Sequence, residues 1–595
     1  MRKVTSGFEN IFFLGLSLVL VTAAAATFLL RSRLHLHTDR VQYATQHLPF
    51  ALLAACLFTL LVGGLRAFLL RRSNTGDLPT SYFLGALTVT FCLFWLPVLL
   101  AGGFVQDDWL LLAAASIRKI IYLHPAYSWY ALDSVDGNFR PLGTVLYFGY
   151  MLKFFGLSAR AFLVGNFIAS FLGSIVAFFI VRTMGYSKFA AAASSALYMS
   201  RGVLYTIVSW ASALSDDIAI LFCGLMALAI LKANRRRGLP AVAYHLLAWI
   251  CFCVATLGKQ SSFAAPLIVA LLLFFRPGEG RVPPMARRIL AAVAGLGIYA
   301  GTAAVPFFHA KTLMQATPYP IAFSMEAALR PFSYALWYFT FFDLPGNSPA
   351  VLTVPEYLGM IVVLILVVVI WRVPKLRGDR PKDVLFAVLA SIASISLFVV
   401  LGTRIAPYYS TMAAFWMSIA LGIALARFGA PVPSDRRARI ACFAFCVLVV
   451  SGFLDVRLRQ TALIPAGGYT WGTYGMDRER MQYAELQRLL LASPQKSVVV
   501  LQDFPGYPSY YTSMSLISAP QIQRILVYDS DKKAFFANDR EGRRPVNELS
   551  ALGDPLAYNW TNPLSTQEAT KIAKPADTIW LQFRDGNIKA LDSVP

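Results

Sequence analysis

Long apolar stretches separated by short polar segments dominate the first 456 residues of this chain. Each stretch approaches the roughly 20 residues that an α-helix needs to cross the hydrocarbon core of a bilayer. The pattern therefore predicts about thirteen membrane helices, with boundaries good to a few residues. They are residues 11–30, 48–70, 82–104, 160–182, 189–208, 214–232, 241–258, 261–275, 289–307, 356–373, 384–402, 409–427 and 440–456.

Lysine and arginine cluster in every second connection between these runs. Short loops that stay in the cytoplasm carry an excess of Lys and Arg, so the clusters mark the cytoplasmic side. The N-terminus is then inside and the C-terminal tail outside, as expected for a protein of a bacterial inner membrane. The clusters are Arg71-Arg72, Arg182 with Lys188, Lys232 with Arg235 to Arg237, Arg276 to Arg288, Arg372 to Lys382, and Arg427 to Arg439.

The connection at residues 31–47 departs from this alternation, because it is predicted outside yet carries three arginines. The first apolar run follows Arg2-Lys3 and contains an Ala-rich stretch at 23–26, so it could instead be a cleaved signal peptide. Its length favours a membrane helix. Either alternative leaves the sidedness of every later segment unchanged.

Two long outer loops follow from the alternation, residues 104–159 and 308–355. Within the first, residues 108–123 are mostly apolar with a few polar positions, which predicts a helix lying in the membrane interface. Residues 141–157 follow a proline and are interrupted by Lys153 and Gly156, which predicts a second interfacial or re-entrant helix. A crossing there would place the basic cluster at 235–237 outside.

The composition changes after about residue 456, which divides the chain into a membrane module, 1–460, and a C-terminal domain, 461–595. Residues 476–493 have a helical pattern, and residues 497–504, 524–528 and 578–583 read as buried strands. We therefore predict a small α/β domain outside the membrane.

Composition supports a polytopic α-helical membrane protein. The chain is 57% hydrophobic and 14% charged, against about 25% charged residues in soluble proteins. The net charge of +22 comes mostly from loops between apolar runs, so it indicates topology and not nucleic-acid binding. All seven cysteines lie in apolar runs without a surrounding set of metal ligands.

Acidic and basic side chains converge on the outer face in this topology. A cation there can hold a phosphate group, and a carboxylate can accept a proton from an acceptor hydroxyl. Two adjacent carboxylates can also hold one another's pKa apart or share a divalent cation such as Mg or Mn. The sequence leaves these options open. The acids are Asp107, Asp108, Asp216 and Asp217; the bases are Arg140, Lys259 and Arg404, with Arg201 inside a predicted helix; His124 and His309 are further candidates for metal or acceptor binding.

Each candidate also has a purely structural explanation. Asp107 and Asp108 could cap the helix that follows them, and Arg201 could extend its charged end to the interface. An arginine inside a membrane helix still requires a partner or a water-filled cavity, which favours a functional position. The two histidines fit ordinary loop residues equally well.

Five stretches carry a resemblance to a known family. The sequence is similar to the GT-C superfamily of polyprenyl-phosphate-sugar glycosyltransferases, and most of all to its protein O-mannosyltransferase branch, including the transmembrane and tetratricopeptide-repeat O-mannosyltransferases. The resemblance spans residues 80–427. The stretches are Phe104-Val105-Gln106-Asp107-Asp108-Trp109, Phe139-Arg140-Pro141-Leu142-Gly143-Thr144 with Phe154 to Ser158, Trp210 to Asp216, Gly258-Lys259-Gln260-Ser261, and Arg404 ahead of Tyr408-Tyr409.

The resemblance implies transfer of a monosaccharide from a polyprenyl-phosphate carrier to an extracytoplasmic hydroxyl, with inversion at the anomeric carbon. It implies that one of Asp107 and Asp108 is the catalytic base, and we favour Asp107. It places Arg140, Lys259 and Arg404 at the lipid phosphate, and Asp216 in a later outer loop. The acceptor could be a protein, a polysaccharide or a lipid glycan.

Four departures from the family pattern leave the sugar and the acceptor open. Tyr198-Met199 stands where the family often has His-Pro, and Gln260 stands where it often has Glu. Arg404-Ile405 replaces an Arg-Tyr pair, and no tetratricopeptide repeats follow.

Two other functions fit parts of the sequence. A transporter or flippase of lipid-linked glycans would explain many helices and an intramembrane arginine. Such proteins often show repeat symmetry and polar groups near the bilayer midplane, whereas this chain places its ionisable groups at one face. A scaffold whose outer domain recruits a partner would leave the outer acids and bases without a common role.

Overall fold

The protein is described here by a computed structural model. It describes residues 2–30, 39–71, 79–105, 107–117, 140–276, 284–314, 381–399, 407–429, 436–461, 476–504, 521–530, 534–539, 565–584 and 587–591, with scattered positions between 331 and 361 and between 511 and 519.

Helices make up nearly all of the membrane module. Because lipid offers no hydrogen-bond partners, each apolar run satisfies its backbone N–H and C=O groups within its own helix. The helices are α1 (Arg2–Leu30), α2 (Asp39–Arg71), α3 (Thr80–Leu100), α4 (Asp107–Ile117), α5 (Tyr147–Phe155), α6 (Ala159–Thr183), α7 (Lys188–Met199), α8 (Leu204–Ser209), α9 (Leu214–Ala233), α10 (Leu239–Gly258), α11 (Ala265–Phe275), α12 (Met285–Met314), α13 (Pro381–Val399), α14 (Thr411–Gly429) and α15 (Arg436–Gln460).

Eight helices among the described residues are long and apolar enough to cross a membrane, and the chain is a multi-pass membrane protein. Gln260–Phe275 forms a shorter apolar helix. The count of thirteen stays a prediction, and the predicted crossing at 356–373 lies outside the described residues except for one position. The spans are Ile11–Leu30, Gln46–Ala67, Thr80–Leu100, Ala159–Thr183, Ala211–Ala233, Leu239–Gly258, Tyr408–Arg427 and Ala438–Gln460.

The predicted crossing at 189–208 is not one continuous helix. It breaks after Met199 and resumes as α8 at Leu204. A side chain on Gly202 would overlap the carboxylate of Asp455, and one on Gly452 would overlap the carbonyl of Ser200. Close packing between this break and α15 therefore requires glycine on both sides.

The described part of residues 104–159 contains two short helices, and their place outside the membrane stays a prediction. Helix α4 covers the first part of the expected segment 108–123. A wide helical turn over Pro141–Leu146 continues into α5, which ends at Gly156 in a backbone conformation with φ of 57°. Glycine adopts positive φ without steric cost, so the chain can reverse there into α6.

The C-terminal region contains helix α16 (Met476–Leu491), helix α17 (Thr566–Ile572) and a five-stranded sheet. Strands β1 (Val498–Gln502), β2 (Arg524–Asp529) and β4 (Thr578–Arg584) are parallel, and the edge strands β3 (Ala534–Asp539) and β5 (Asn587–Leu591) are antiparallel to their neighbours. The strand order is β3-β2-β1-β4-β5.

The two faces of this sheet are covered by different helices. Leu486 of α16 shares a cluster of buried apolar side chains with Val499 of β1, whereas Ala569 of α17 shares one with Val500. The alternation of side chains along a strand explains why neighbours in β1 pack against opposite helices. The α/β prediction is confirmed for this part of the chain, and β3, β5 and α17 are additions to it.

A chain of aromatic contacts joins the C-terminal domain to the membrane module. The ring of Trp109 in α4 lies 5.7 Å from that of Tyr483 in α16, and Tyr483 lies 5.0 Å from Tyr511. Tyr511 in turn packs 4.8 Å from Phe504, next to β1. The C-terminal domain therefore rests directly on the helix that carries Asp107 and Asp108.

Candidate active site

Asp108 ties α4 to a distant segment of the chain. Its side chain is completely buried. One carboxylate oxygen accepts the N–H of Val105 at 3.1 Å, and the other accepts the N–H of Ser212 at 2.7 Å. Ser212 lies in the 3-10 turn Ala211–Ala213 that precedes α9, so this carboxylate joins two loops that are 104 residues apart.

The surroundings of Asp108 raise its pKa from 3.8 to about 7. Burial is the largest cause, because removing a carboxylate from water penalises the charged form. The N–H groups of Val105 and Ser212 oppose this change, and the nearby charge of Asp107 adds to it. The carboxyl group therefore changes its charge near neutral pH.

Asp107 occupies a different environment from its neighbour. It stands at the start of α4 and is only partly buried. Both oxygens of Asp108 are engaged by backbone N–H groups, so Asp107 is the better placed of the two to meet an acceptor from outside. Asp108 also does more than cap its own helix, because its hydrogen bonds reach residues outside α4.

Lys259 and Asp216 form a buried ion pair between α9 and the turn that follows α10. Their side chains are 7% and 6% exposed. The Lys259 ammonium also lies 5.1 Å from the ring centroid of Tyr408 and 5.8 Å from that of Tyr409. An ammonium over aromatic faces keeps its charge stabilised after leaving bulk water.

Arg140 lies beside this pair. Its Nε is 3.4 Å from Oε1 of Gln260, which is long for a hydrogen bond. Gly143, in the turn that follows, sits so close to α9 that a Cβ would come within 2.5 to 2.7 Å of three atoms of Ser215. Glycine at this position therefore lets the Arg140 segment approach the helix that carries Asp216.

Direct contacts thus connect five segments that are far apart in the sequence. Asp108 holds the turn before α9, Asp216 in α9 holds Lys259, and Gln260 contacts Arg140. Tyr408, at the start of the turn before α14, packs against Trp210 with ring centroids 5.9 Å apart. Carboxylates, cations and aromatic rings therefore surround one region at the N-terminal end of α9.

Asp217 points to a different partner. It accepts the hydroxyl of Ser170 in α6 at 2.5 Å, and its Oδ2 is buried without a hydrogen-bond partner among the described residues. The adjacent acids therefore have different partners: Asp216 pairs with Lys259 after α10, and Asp217 pairs with Ser170 of α6.

Arg201 lies apart from this group, in the break between α7 and α8. It is 1% exposed, and its guanidinium donates to four oxygen atoms, those of Leu197, Tyr338, Leu448 and the Ser200 hydroxyl. The bond to Leu197 pairs a carbonyl group near the end of α7, and the bond to Leu448 joins the helix break to α15. The described contacts of Arg201 therefore stabilise the fold. The prediction that Arg201 binds the donor phosphate stays a prediction.

Three of the expected site residues have no described side chain. Arg404 and His124 lie outside the described residues, and His309 belongs to α12 without a described side chain. Within the described part of the chain, no group of three or more His, Cys, Asp or Glu side chains is arranged to hold a metal ion. The divalent cation considered for Asp107 and Asp108 stays a prediction.

Sequence reasoning missed two contributors to the site. The backbone N–H of Ser212 has no sequence signal as a carboxylate partner. The sequence pattern assigns Tyr408 and Tyr409 no role of their own. Two tyrosines at the start of a helix, on the same predicted side as Lys259, are nevertheless a recognisable signal for aromatic rings that contact a cation.

No protein-family model matches this sequence, and no curated protein matches it either. Among solved structures, ArnT from Cupriavidus metallidurans in the apo state aligns with a TM-score of 0.44 and 12% identity, covering 85% of this chain and 93% of that one. The same protein bound to undecaprenyl phosphate gives 0.43, with 12% identity and the same coverage.

The archaeal oligosaccharyltransferase AglB from Archaeoglobus fulgidus, in complex with an inhibitory peptide and a dolichol-phosphate, aligns with a TM-score of 0.41 and 10% identity. It covers 80% of this chain and 77% of that one. Overlaps of this size are partial, and they assign neither a reaction nor a substrate to this protein.

Proposed function

We propose that this protein is a membrane glycosyltransferase that moves a monosaccharide from a polyprenyl-phosphate carrier to a hydroxyl group on the extracytoplasmic side. The convergence of Asp107, Asp108, Arg140, Asp216 and Lys259 carries the proposal. These residues come from four separate segments. The described contacts connect the segments of Asp108, Arg140, Asp216 and Lys259 around the N-terminal end of α9, and Asp107 directly precedes Asp108 at the start of α4.

The reaction needs a base and a stabiliser of the leaving group. An acceptor oxygen attacks the anomeric carbon, the bond from that carbon to the phosphate oxygen breaks, and the lipid phosphate leaves with the electron pair. Asp107 takes the acceptor proton and later returns it to solvent. The sequence resemblance implies inversion at the anomeric carbon.

Two cations supply the charge that the departing phosphate requires. Arg140 contacts the side chain of Gln260, the residue that follows Lys259, so the two cations belong to adjoining segments of the site. The Asp216 carboxylate holds Lys259 in place in the absence of substrate. Arg404 completes the donor site in this proposal. Cations positioned before the reaction stabilise charge that develops in the transition state.

Asp108 acts as a positioning residue. By accepting the N–H groups of Val105 and Ser212, it fixes the start of α4, which carries Asp107, against the turn before α9. The C-terminal domain, which contacts Trp109 next to Asp108, would then help to bind the acceptor.

The experiment that tests the proposal replaces Asp107 by Asn and measures transfer from a synthetic polyprenyl-phosphate sugar in proteoliposomes. A lost general base lowers the rate by about 10²–10⁴-fold with donor binding retained. Asp577→Asn, at an exposed turn of the C-terminal domain, is the matched control. Full activity of the Asp107 variant would remove this residue as the base.

The same proteoliposomes distinguish a glycosyltransferase from a transporter or flippase. A flippase moves the lipid-linked sugar between leaflets without forming a product that contains the acceptor. If wild-type protein accelerated movement of the labelled donor across the bilayer and formed no transfer product with any hydroxyl acceptor offered, the enzyme proposal would be wrong.

A further inference from the structure

A large cavity lies between α2, α3 and α15. Its volume is about 890 Å³, near the upper end of the usual range for ligand pockets. Apolar side chains line most of it, including Phe50, Leu57 and Leu61 of α2 and Leu93 of α3. Three of the candidate membrane-spanning helices form its walls, so the apolar part faces the bilayer region.

The cavity is long as well as wide. The α2 residues that line it run from His47 to Leu61. At 1.5 Å per residue, these 14 steps correspond to about 21 Å along the helix axis, which exceeds half of a hydrocarbon core about 30 Å thick. An extended hydrocarbon chain fits this shape.

Polar groups gather at one end of the cavity. His47, Arg457, Gln460 and Thr461 line that end. They stand near the start of the α2 span, at the end of α15 and beyond it, which the charge pattern of the sequence predicts to face outside. Ala484 of α16 also lines the cavity, so the C-terminal domain covers this mouth.

Arg457 carries a charge that its own contacts leave uncompensated. The side chain is 6% exposed, and its described bonds go to neutral oxygens: Leu93 O at 2.8 Å, Phe94 O at 3.1 Å and Gln460 Oε1 at 2.5 Å. The neighbouring Arg459 differs, because it forms an ion pair with Asp455 at 3.0 Å.

A buried cation that has no acidic partner among the described residues favours an anion nearby. The guanidinium also lies 4.7 Å from the ring centroid of Phe453. This contact helps to hold the charge but does not neutralise it. The end of the cavity that meets the membrane surface therefore combines positive charge with hydrogen-bonding groups.

We propose that this cavity binds one anionic phospholipid of the outer leaflet, with its acyl chains along α2 and its phosphate beside Arg457. Because α16 covers the same mouth, the bound lipid also contacts the C-terminal domain. This lipid site is independent of the proposed glycosyl transfer and does not use Asp107, Lys259 or Arg140.

The test uses full-length protein in lipid nanodiscs and a photoactivatable phosphatidylglycerol. We expect saturable labelling on peptides that contain residues 47–61 and 93–103. Unlabelled phosphatidylglycerol should compete about tenfold better than phosphatidylcholine, which corresponds to about 1.4 kcal/mol for the preference of the guanidinium for an anionic headgroup over a zwitterionic one.

Two pairs of variants test the location. Leu57→Trp with Leu61→Trp fills the cavity and should remove most of the labelling. Leu53→Trp with Leu60→Trp is the matched control, because these leucines lie on the same helix, are 44% and 43% exposed, and do not line the cavity. Size-exclusion elution and helical circular dichroism check that both proteins fold.

Three outcomes would overturn the proposal. Equal competition by phosphatidylcholine would show that the headgroup charge is not recognised. Equal labelling of the two double variants would place the lipid elsewhere. Stronger competition by undecaprenyl phosphate than by phosphatidylglycerol would identify an isoprenoid carrier as the occupant.

Discussion

Replacing Asp108 by Asn tests the central feature of the candidate site. The carboxylate accepts two backbone N–H groups, one from Val105 and one from Ser212. An amide of the same size offers one oxygen and one NH₂ group, so one of these N–H groups meets a donor. We expect the start of α4, which carries Asp107, to lose part of its attachment to the turn before α9.

The size of the expected loss of activity follows from this lost hydrogen bond and from the pKa of Asp108. A buried donor left unsatisfied costs about 1–3 kcal/mol, which corresponds to about a 5–150-fold loss of rate if the active geometry bears the full cost. In the wild type, a pKa of about 7 leaves the carboxyl of Asp108 about nine-tenths protonated at pH 6 and about nine-tenths ionised at pH 8.

Charge-assisted hydrogen bonds are about twice as strong as neutral ones, so the attachment weakens as the pH falls through 7. We therefore expect wild-type activity to drop about tenfold between pH 8 and pH 6. The Asn variant has no charge to lose at this position, so its activity should be low and nearly constant over the same range.

Stability should respond in the opposite direction. The folded-state pKa lies above the unfolded value of 3.8, so the folded protein binds the proton more tightly. The free energy of unfolding therefore decreases as the pH rises from about 4 to about 7, by about 4 kcal/mol for the full change of about three pKa units. Asp108→Asn removes this slope.

The assay measures initial transfer rates in proteoliposomes at saturating donor from pH 5.5 to 8.5, with apparent melting temperatures of the same samples. Asp107→Asn serves as a second reference. Removing its charge lowers the pKa of Asp108, so the pH dependence of the melting temperature should shift to lower pH.

The reasoning would be refuted by wild-type activity that stays constant between pH 6 and 8 while Asp108→Asn remains fully active. It would also be refuted if the variant lost activity only in proportion to its unfolded fraction at pH 8, because a positioning residue must affect the rate of folded protein.

Three further predictions concern other contacts. Lys259→Met leaves the Asp216 carboxylate buried without its partner, so thermal unfolding should show a loss of about 3–5 kcal/mol, and the double variant with Asp216→Asn should recover much of it. Gly143→Ala introduces a methyl group that overlaps Ser215, so transfer activity should fall while the helical circular dichroism signal is unchanged; equal activity would show that this approach is not required. The Arg457 guanidinium donates to the Leu93 carbonyl, which Pro97 cannot bond because proline has no N–H. In a Pro97→Ala background the alanine N–H can bond this carbonyl, so Arg457→Met should cost less stability there than in the wild type. A double-mutant cycle on melting temperatures measures this coupling, and additive effects would contradict it.

The hydrophobic pattern by itself determined the class of protein and the position of most helices. A run such as residues 160–182 can satisfy its backbone only as a helix in lipid, and α6 covers it. The pattern also separated the C-terminal α/β domain, because buried strands such as β1 are continuous apolar runs. The edge strands β3 and β5 were missed. Polar residues interrupt β5, as an antiparallel edge strand allows, whereas β3 is a short run that buries Phe535.

Only tertiary structure decided which polar groups meet. The sequence placed Asp108, Asp216, Lys259 and Arg201 on one side of the membrane, but their partners depend on how distant helices pack. Packing set Lys259 against Asp216 and gave Asp108 the N–H of Ser212, whereas Arg201 received carbonyl oxygens at a helix break. The periodicity of apolar residues indicates which face of a helix is apolar. It does not indicate which residue of another helix will pair with a buried charged side chain.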